Sequence, residues 1–163
     1  MYADNGYKLW LHFQPIEKNI VKEKYDFIKS IYFDETINDE IIKNAEIILS
    51  KNLSLMLNKK IGREQIRKYG QVNFVIGNNN TEINEEGYLI KINNNEITIE
   101  AKSTKGILYG ALDLLQKIHR REDIKNISIA ESPKVKLRIL NHWDNIDRTV
   151  ERGYAGFSIW NWH

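Results

Sequence analysis

Two β-rich runs, Gly87-Tyr-Leu-Ile-Lys-Ile92 and Glu96-Ile-Thr-Ile-Glu-Ala101, are separated only by Asn93-Asn-Asn95. Asparagine tolerates the left-handed backbone angles that a tight connection between antiparallel strands demands, so this stretch predicts a β-hairpin. The flanking segments follow from hydrophobic period. Downstream, Ser103 or Thr104 caps a helix running to about Ile118, with Ile107, Leu108, Ala111, Leu112, Leu115 and Ile118 on one apolar face. Gly106 and Gly110 let that helix lie close to a sheet. Residues 124–129 alternate as a further strand, which Glu131-Ser-Pro133 ends.

Upstream, residues 7–13 place Leu9, Leu11 and Phe13 on one side and Lys8, Trp10 and His12 on the other, the pattern of a half-buried strand. A second strand is expected near residues 28–33. Between residues 38 and 58, Ile41, Ile42, Ala45, Ile48, Leu49, Leu53, Met56 and Leu57 recur at helical spacing with charges between them. Residues 59–70 are polar and basic, and Val72-Asn-Phe-Val-Ile76 predicts a short buried strand closed by Gly77. The order is strand, strand, helix, strand, hairpin, helix, strand. That order predicts an α+β fold, a layered α/β domain over residues 1–133 with two main helices on a mixed, mostly antiparallel sheet.

Composition narrows the function classes. The chain has 163 residues with 24 Lys+Arg against 22 Asp+Glu, and 42% of it is hydrophobic, which excludes a wholly disordered or collagen-like chain. With no cysteine, a thiol nucleophile, a thiolate zinc site and a disulfide framework are all excluded. No apolar stretch reaches the roughly 18 residues of a membrane span, and the start lacks the basic-then-apolar pattern of a secretory signal. A cytoplasmic protein without membrane partners is the expectation. Lys59, Lys60, Arg63, Arg67 and Lys68, and likewise Lys117, Arg120 and Arg121, suit solvated faces or a helix end better than a nucleic-acid site, so no nucleic-acid partner is expected. Phosphate loops, nucleophile elbows and H-E-x-x-H helices are missing from the sequence.

After Pro133 the texture changes. Lys136-Leu-Arg-Ile-Leu140 predicts a strand that runs into Asn141-His-Trp-Asp-Asn145-Ile-Asp147, and three of the four tryptophans lie beyond residue 140. On a strand, His142 and Asp144 point one way while Asn141, Trp143 and Asn145 point the other. Aromatic rings that stack on C–H faces, beside amides and carboxylates that bond hydroxyls, suit a sugar site. His142 with Asp144 lacks a third ligand at suitable spacing, so neither a metal nor another cofactor is expected. Asp144, Asp147 and Glu151 include either an acid–base pair or partners of Arg148 and Arg152, and spacing leaves both readings open. The aromatic tail Phe157-Ser-Ile-Trp-Asn-Trp162-His163 would leave apolar surface uncovered, so the chain is expected to be cut short.

These residues carry a resemblance. Leu137-Arg-Ile-Leu-Asn-His-Trp-Asp-Asn145, Glu151-Arg-Gly-Tyr-Ala-Gly156 and Ser158-Ile-Trp160 resemble the beginning of the catalytic barrel of the α-glucuronidases of glycoside hydrolase family 67. Gly6-Tyr-Lys-Leu-Trp10, Glu86-Gly-Tyr88 and Gly106-Ile-Leu-Tyr-Gly110 match the family's amino-terminal domain in order. The resemblance implies an amino-terminal α/β domain over residues 1–133, then the truncated start of a (β/α)8 barrel over residues 134–163. It implies inverting removal of glucuronic acid or its 4-O-methyl form from xylo-oligosaccharides, by two carboxylates about 6.5 to 9.5 Å apart. In the family those carboxylates lie on later barrel strands, so no catalytic residue is expected in this chain, which is expected to be inactive alone. Barrel sites form at the carboxy-terminal ends of strands. By the family pattern Trp143, Glu151 and Arg152 contact the substrate, with His142, Asp144 and Asn145 as lesser candidates. Arg152 offers a planar fork that holds hydroxyls or a carboxylate.

One position departs from the pattern, since Arg148 stands where the family places glycine. A left-handed backbone there would strain the turn by about 1 kcal/mol. The implied partners are a glucuronic-acid-substituted xylo-oligosaccharide and the remainder of the parent enzyme. The competing reading is a stand-alone, non-catalytic carbohydrate-binding or interaction module that uses the aromatic tail as its surface.

Overall fold

The computed structural model of the chain describes residues 11–34, 37–77 and 81–139. Its contacts fall into two compact units, Met1–Pro133 and Lys134–His163. In the first, helix α1 (Lys18–Ile20) runs directly into a π-helical turn (Val21–Tyr25) and is followed by strand β1 (Ser30–Tyr32). Helix α2 (Glu40–Leu57), strand β2 (Gln71–Ile76), the hairpin β3 (Tyr88–Asn93) and β4 (Glu96–Ala101), helix α3 (Thr104–His119) and strand β5 (Ser128–Glu131) complete it.

The expected hairpin is present in full register. Asn93 pairs with Glu96, leaving Asn94 and Asn95 as a two-residue turn with φ of 48° and 61°. Both central angles are positive, as the right-handed twist of the flanking strands requires. Asp39 caps α2 by accepting from the Ile41 and Ile42 amides, and Asn58, left-handed at φ 48°, closes its other end. Ser103 caps α3 by accepting from the Gly106 amide and donating to the Glu85 carbonyl at 2.7 Å.

The strand order is β1-β2-β4-β3-β5. Two of the four pairings are parallel, β1 with β2 and β2 with β4, and two are antiparallel, β3 with β4 and with β5. The sheet is therefore mixed but not mostly antiparallel. Alternation assigns faces without assigning direction, and α2 is a crossover long enough to return the chain to the end from which β1 started.

One face of the sheet carries the registered rows Ile31, Val72, Ile97, Ile92 and Phe74, Ile99, Ile90, Ile129. Both helices cover it. α2 buries Ile42, Ala45, Leu49, Leu53, Met56 and Leu57, and α3 buries Ile107, Ala111, Leu114, Leu115 and Ile118. The α3 stripe is rotated from the expected one, with Leu114 buried and Leu108 and Leu112 only half-buried. On the opposite face Gln71 and Asn73 are buried polar side chains. Gln71 holds the loop above it by accepting from the Lys68 amide and donating to the Ile66 carbonyl. Asn73 donates to Glu96 at 3.0 Å and to the Ile97 carbonyl at 3.2 Å.

Three expected strands differ. Residues 11–13 are not in the sheet: Phe13 is buried and meets His119 edge-on, whereas residues 7–10 lie outside the described residues. The edge beside β1 belongs instead to the polar stretch after α2, where Ile31 donates to the Gly62 carbonyl and accepts from the Glu64 amide. Short alternation reports burial rather than pairing. The strand expected over residues 124–129 begins only at Ser128, because Asn126 has φ 55°, which an extended strand does not allow. Residues 136–139 form no ladder, and Leu140 lies outside the described residues. The helical segment 18–25 was not foreseen, since only Val21 and Tyr25 in it are buried.

The two helix glycines of α3 sit against the sheet as expected. A Cβ on Gly106 would collide with the Gly87 carbonyl and come within 2.7 Å of the Ala101 Cβ, and one on Gly110 would lie 2.6 Å from Ile99 Cγ2. Beside them the end of the unit is pinned, with Ser132 Oγ accepting from the Asn84 amide and the Pro133 carbonyl accepting from the Asn84 side chain. In an exposed helix, Gly to Ala adds about 1 kcal/mol of stability. Gly106→Ala is expected to lose about 1–3 kcal/mol through overpacking, read as a lower urea midpoint. Gly62→Ala, where a Cβ meets nothing within 4 Å, should leave the midpoint nearly unchanged.

Candidate functional site

All of the site residues named from the sequence, Trp143, Glu151 and Arg152 with His142, Asp144 and Asn145, lie outside the described residues. The approach to them is described as far as Ile139. Over residues 134–139 the side chains of Val135, Leu137 and Ile139 are 62%, 74% and 74% exposed, alternating with Lys134, Lys136 and Arg138. The alternation of apolar and basic residues is thus kept in the sequence, while residues 134–139 are assigned to no strand.

Two of the three amino-terminal motifs behind the resemblance are brought together, and the third, Gly6-Tyr-Lys-Leu-Trp10, lies outside the described residues. Glu86-Gly-Tyr88 and Gly106-Ile-Leu-Tyr-Gly110 are two sides of one contact, in which Gly106 lies on the Gly87 carbonyl and Gly110 lies against the Tyr88 ring. Lys105 pairs with Glu86 at 3.1 Å across it. The Tyr88 hydroxyl bonds to Asp113, and burial first, then the Asp113 charge, raises its pKa well above the usual tyrosine range. Asp113 in turn pairs with Lys117 at 3.4 Å, while its Oδ2 is buried without a hydrogen-bond partner. These motifs therefore fasten a helix to a sheet.

A second polar cluster ties the π-turn to the far end of α3. Tyr25 donates to the Glu122 carbonyl at 2.6 Å, and burial, with Asp123 and Glu122 adding to it, pushes its pKa up to about 12. Arg121 forms a two-pronged pair with Glu17 at 3.0 Å for each bond. Lys24 donates to the Arg121 carbonyl and Lys125 to the Glu23 carbonyl.

Glycoside hydrolysis by a carboxylic acid needs one carboxyl with a raised pKa. Glu17 and Asp26 move the other way, Glu17 through its hydrogen bonds from Arg121 and Asp26 through its bond from Lys59. The basic residues are also engaged: Lys59 with Asp26, Arg67 with Glu96, Lys68 with Glu64, and Arg120 with Glu122. Arg63 lies over the Phe33 ring at 4.0 Å. Among the described residues no group of three His, Asp or Glu side chains could hold a metal ion.

Two family models match the chain. Residues 9–114 match the glycosyl hydrolase family 67 N-terminus, and residues 117–163 match the glycosyl hydrolase family 67 middle domain. The boundary between the two matches falls inside α3, whereas the first compact unit continues to Pro133. A probable alpha-glucuronidase A of Neosartorya fischeri is 33% identical over 172 residues, covering 96% of this chain and 20% of that protein. The alpha-glucuronidase A of Aspergillus tubingensis is 26% identical over 169 residues with the same coverage. The chain spans about a fifth of the length of these relatives. Among solved structures, a GH138 enzyme targeting pectin rhamnogalacturonan II is similar with TM-score 0.53 and 15% identity over 66% of this chain and 16% of its own. A mutant Streptomyces plicatus beta-hexosaminidase is similar with TM-score 0.53 and 16% identity over 66% of this chain and 22% of its own. At such identities the likeness is one of fold.

The Tyr25 hydroxyl gives a pH prediction. Its folded pKa of about 12 lies above the ordinary 10.0, so the unfolded chain loses the proton first. Stability is fully present below pH 10 and is lost as pH rises toward 12. Tyr25→Phe should cost about 1 kcal/mol near neutral pH for the lost hydrogen bond, yet show a shallower loss of stability in alkaline urea titrations.

Proposed function

Because the chain belongs to glycosyl hydrolase family 67, we propose that it is the amino-terminal portion of an α-glucuronidase. The whole enzyme would release α-1,2-linked glucuronic acid, or its 4-O-methyl form, from xylo-oligosaccharides with inversion, as part of xylan breakdown. The observation that carries this reading is the match of residues 117–163 to the family's middle domain. That match contains the strings Leu137-Arg-Ile-Leu-Asn-His-Trp-Asp-Asn145 and Glu151-Arg-Gly-Tyr-Ala-Gly156.

In this reading residues 1–133 are a supporting α/β domain and residues 134–163 begin a (β/α)8 barrel. The exposed row Val135, Leu137, Ile139 supports the second assignment, because an inner barrel strand needs neighbours on both edges and helices on its outer face. Substrate then meets the residues just beyond that strand. Trp143 forms part of the pocket wall, Glu151 accepts hydrogen bonds from sugar hydroxyls, and Arg152 holds a hydroxyl or the uronate carboxylate by paired hydrogen bonds. His142, Asp144 and Asn145 are lesser contacts. A cytoplasmic site of action, on oligosaccharides already taken up, belongs to the same proposal.

Inversion needs an acid on one side of the bond and a base holding water on the other. The family places both on later strands, so this chain alone should release no glucuronic acid from aldouronic acids at any pH. Release that survives purification and disappears in Glu151→Gln would overturn the assignment. Joined to the remainder of the enzyme, Arg152→Ala is expected to lower kcat/KM about a hundredfold, the cost of losing charged hydrogen bonds of about 1.5–3 kcal/mol.

A further inference from the structure

A depression of about 470 Å³ in the first unit is lined by Tyr69, Ile92, Asn94, Asn95, Lys125 and Asn126. Its volume lies in the range of about 300–1,000 Å³ that holds small ligands. The Tyr69 ring is 69% exposed, on the loop that Gln71 holds from below, and Ile92 beside it is buried. Asn94, Asn95 and Asn126 all have positive φ, at 48°, 61° and 55°. Their positions are fixed by tight turns, and their side-chain amides make no hydrogen bond among the described residues. Lys125 is anchored through one bond to the Glu23 carbonyl at 3.2 Å, which leaves donors of its ammonium for another acceptor. No carboxylate lines the depression.

We propose that this depression is a carbohydrate-contact subsite for an acidic xylo-oligosaccharide. An open tyrosine face takes the C–H side of a pyranose ring, the three amides offer paired donors and acceptors to its hydroxyls, and Lys125 receives a uronate carboxylate. The turns already set their backbones, so binding has only the side-chain torsions of these amides to order. The inference rests on the α-glucuronidase reading for the identity of the sugar, while the aromatic and amide groups themselves require only a pyranose chain.

The test is a titration of the isotopically labelled 163-residue chain with xylotetraose and with the same oligosaccharide bearing one glucuronic acid, followed by NMR. Saturable shifts are expected in the backbone and side-chain amides of Asn94, Asn95 and Asn126, with tighter binding of the acidic sugar. Tyr69→Ala should weaken binding about tenfold or more, Tyr69→Phe should retain it, and Lys125→Gln should abolish the preference for the acidic form. These side chains are exposed, and a retained amide spectrum verifies that each variant is folded. Absence of shifts at millimolar sugar, shifts centred elsewhere, or binding unaffected by Tyr69→Ala would overturn the subsite. Glucuronic acid release by the whole enzyme is measured in parallel. Release without binding at this patch overturns the subsite alone, whereas binding here without release supports the subsite and overturns the α-glucuronidase reading.

Discussion

The close seat of α3 on the hairpin is the constraint on which the rest of the first unit depends. Glycines at 106 and 110 let the helix backbone descend until it touches the Gly87 carbonyl, Ile99 and Tyr88. Only at that depth does Ser103 reach the Glu85 carbonyl, Lys105 reach Glu86, and Asp113 meet the Tyr88 hydroxyl. The same descent seals Ile90, Ile97 and Ile99, all at 0% exposure. Hydrophobic burial supplies the larger free energy, roughly 1.5–3 kcal/mol for each such side chain. The glycines decide whether that burial is geometrically available.

At the opposite end of α3 the chain solves a different problem. Helix 18–25 has a meagre apolar face, with Val21 and Tyr25 its buried residues. It is held instead by polar bonds that span about a hundred residues of sequence, from Tyr25, Lys24 and Lys125 to carbonyls and from Arg121 to Glu17. Exposed ion pairs contribute little individually, whereas a buried tyrosine hydroxyl left without its acceptor is costly. Tyr25 is therefore the member of this cluster that matters most.

How much of this was legible in the sequence depends on whether the signal was local. The hairpin and both long helices were legible because turn asparagines, caps and apolar periods act within a few residues of where they are read. Strand direction was not, since it depends on how a crossover returns the chain. The alternation at residues 11–13 reflected burial of Phe13 without pairing, and that at residues 124–129 joined the buried Ile124 to a ladder that begins only at Ser128. Gly62 to Glu64, polar and unremarkable as sequence, took the sheet edge because its backbone matched Ile31. The residues of the candidate barrel site came from resemblance to a family, as no spacing among them distinguishes catalysis from a salt bridge. Asn94 and Asn95 signal a turn and nothing more, and Tyr69, Lys125 and Asn126 carry no sequence signature, the five being scattered over three loops that only the fold gathers together.

The clasp of Asn84 on Ser132 and Pro133 also sets a boundary condition for what comes after. A polypeptide that leaves a folded body through an unsecured tail explores a wide volume, and the entropy of that search must be overcome when the next body folds. Here the departing segment starts from a clamped origin, so part of that search is removed in advance. In mechanical terms the last residues of the first unit are built in rather than hinged.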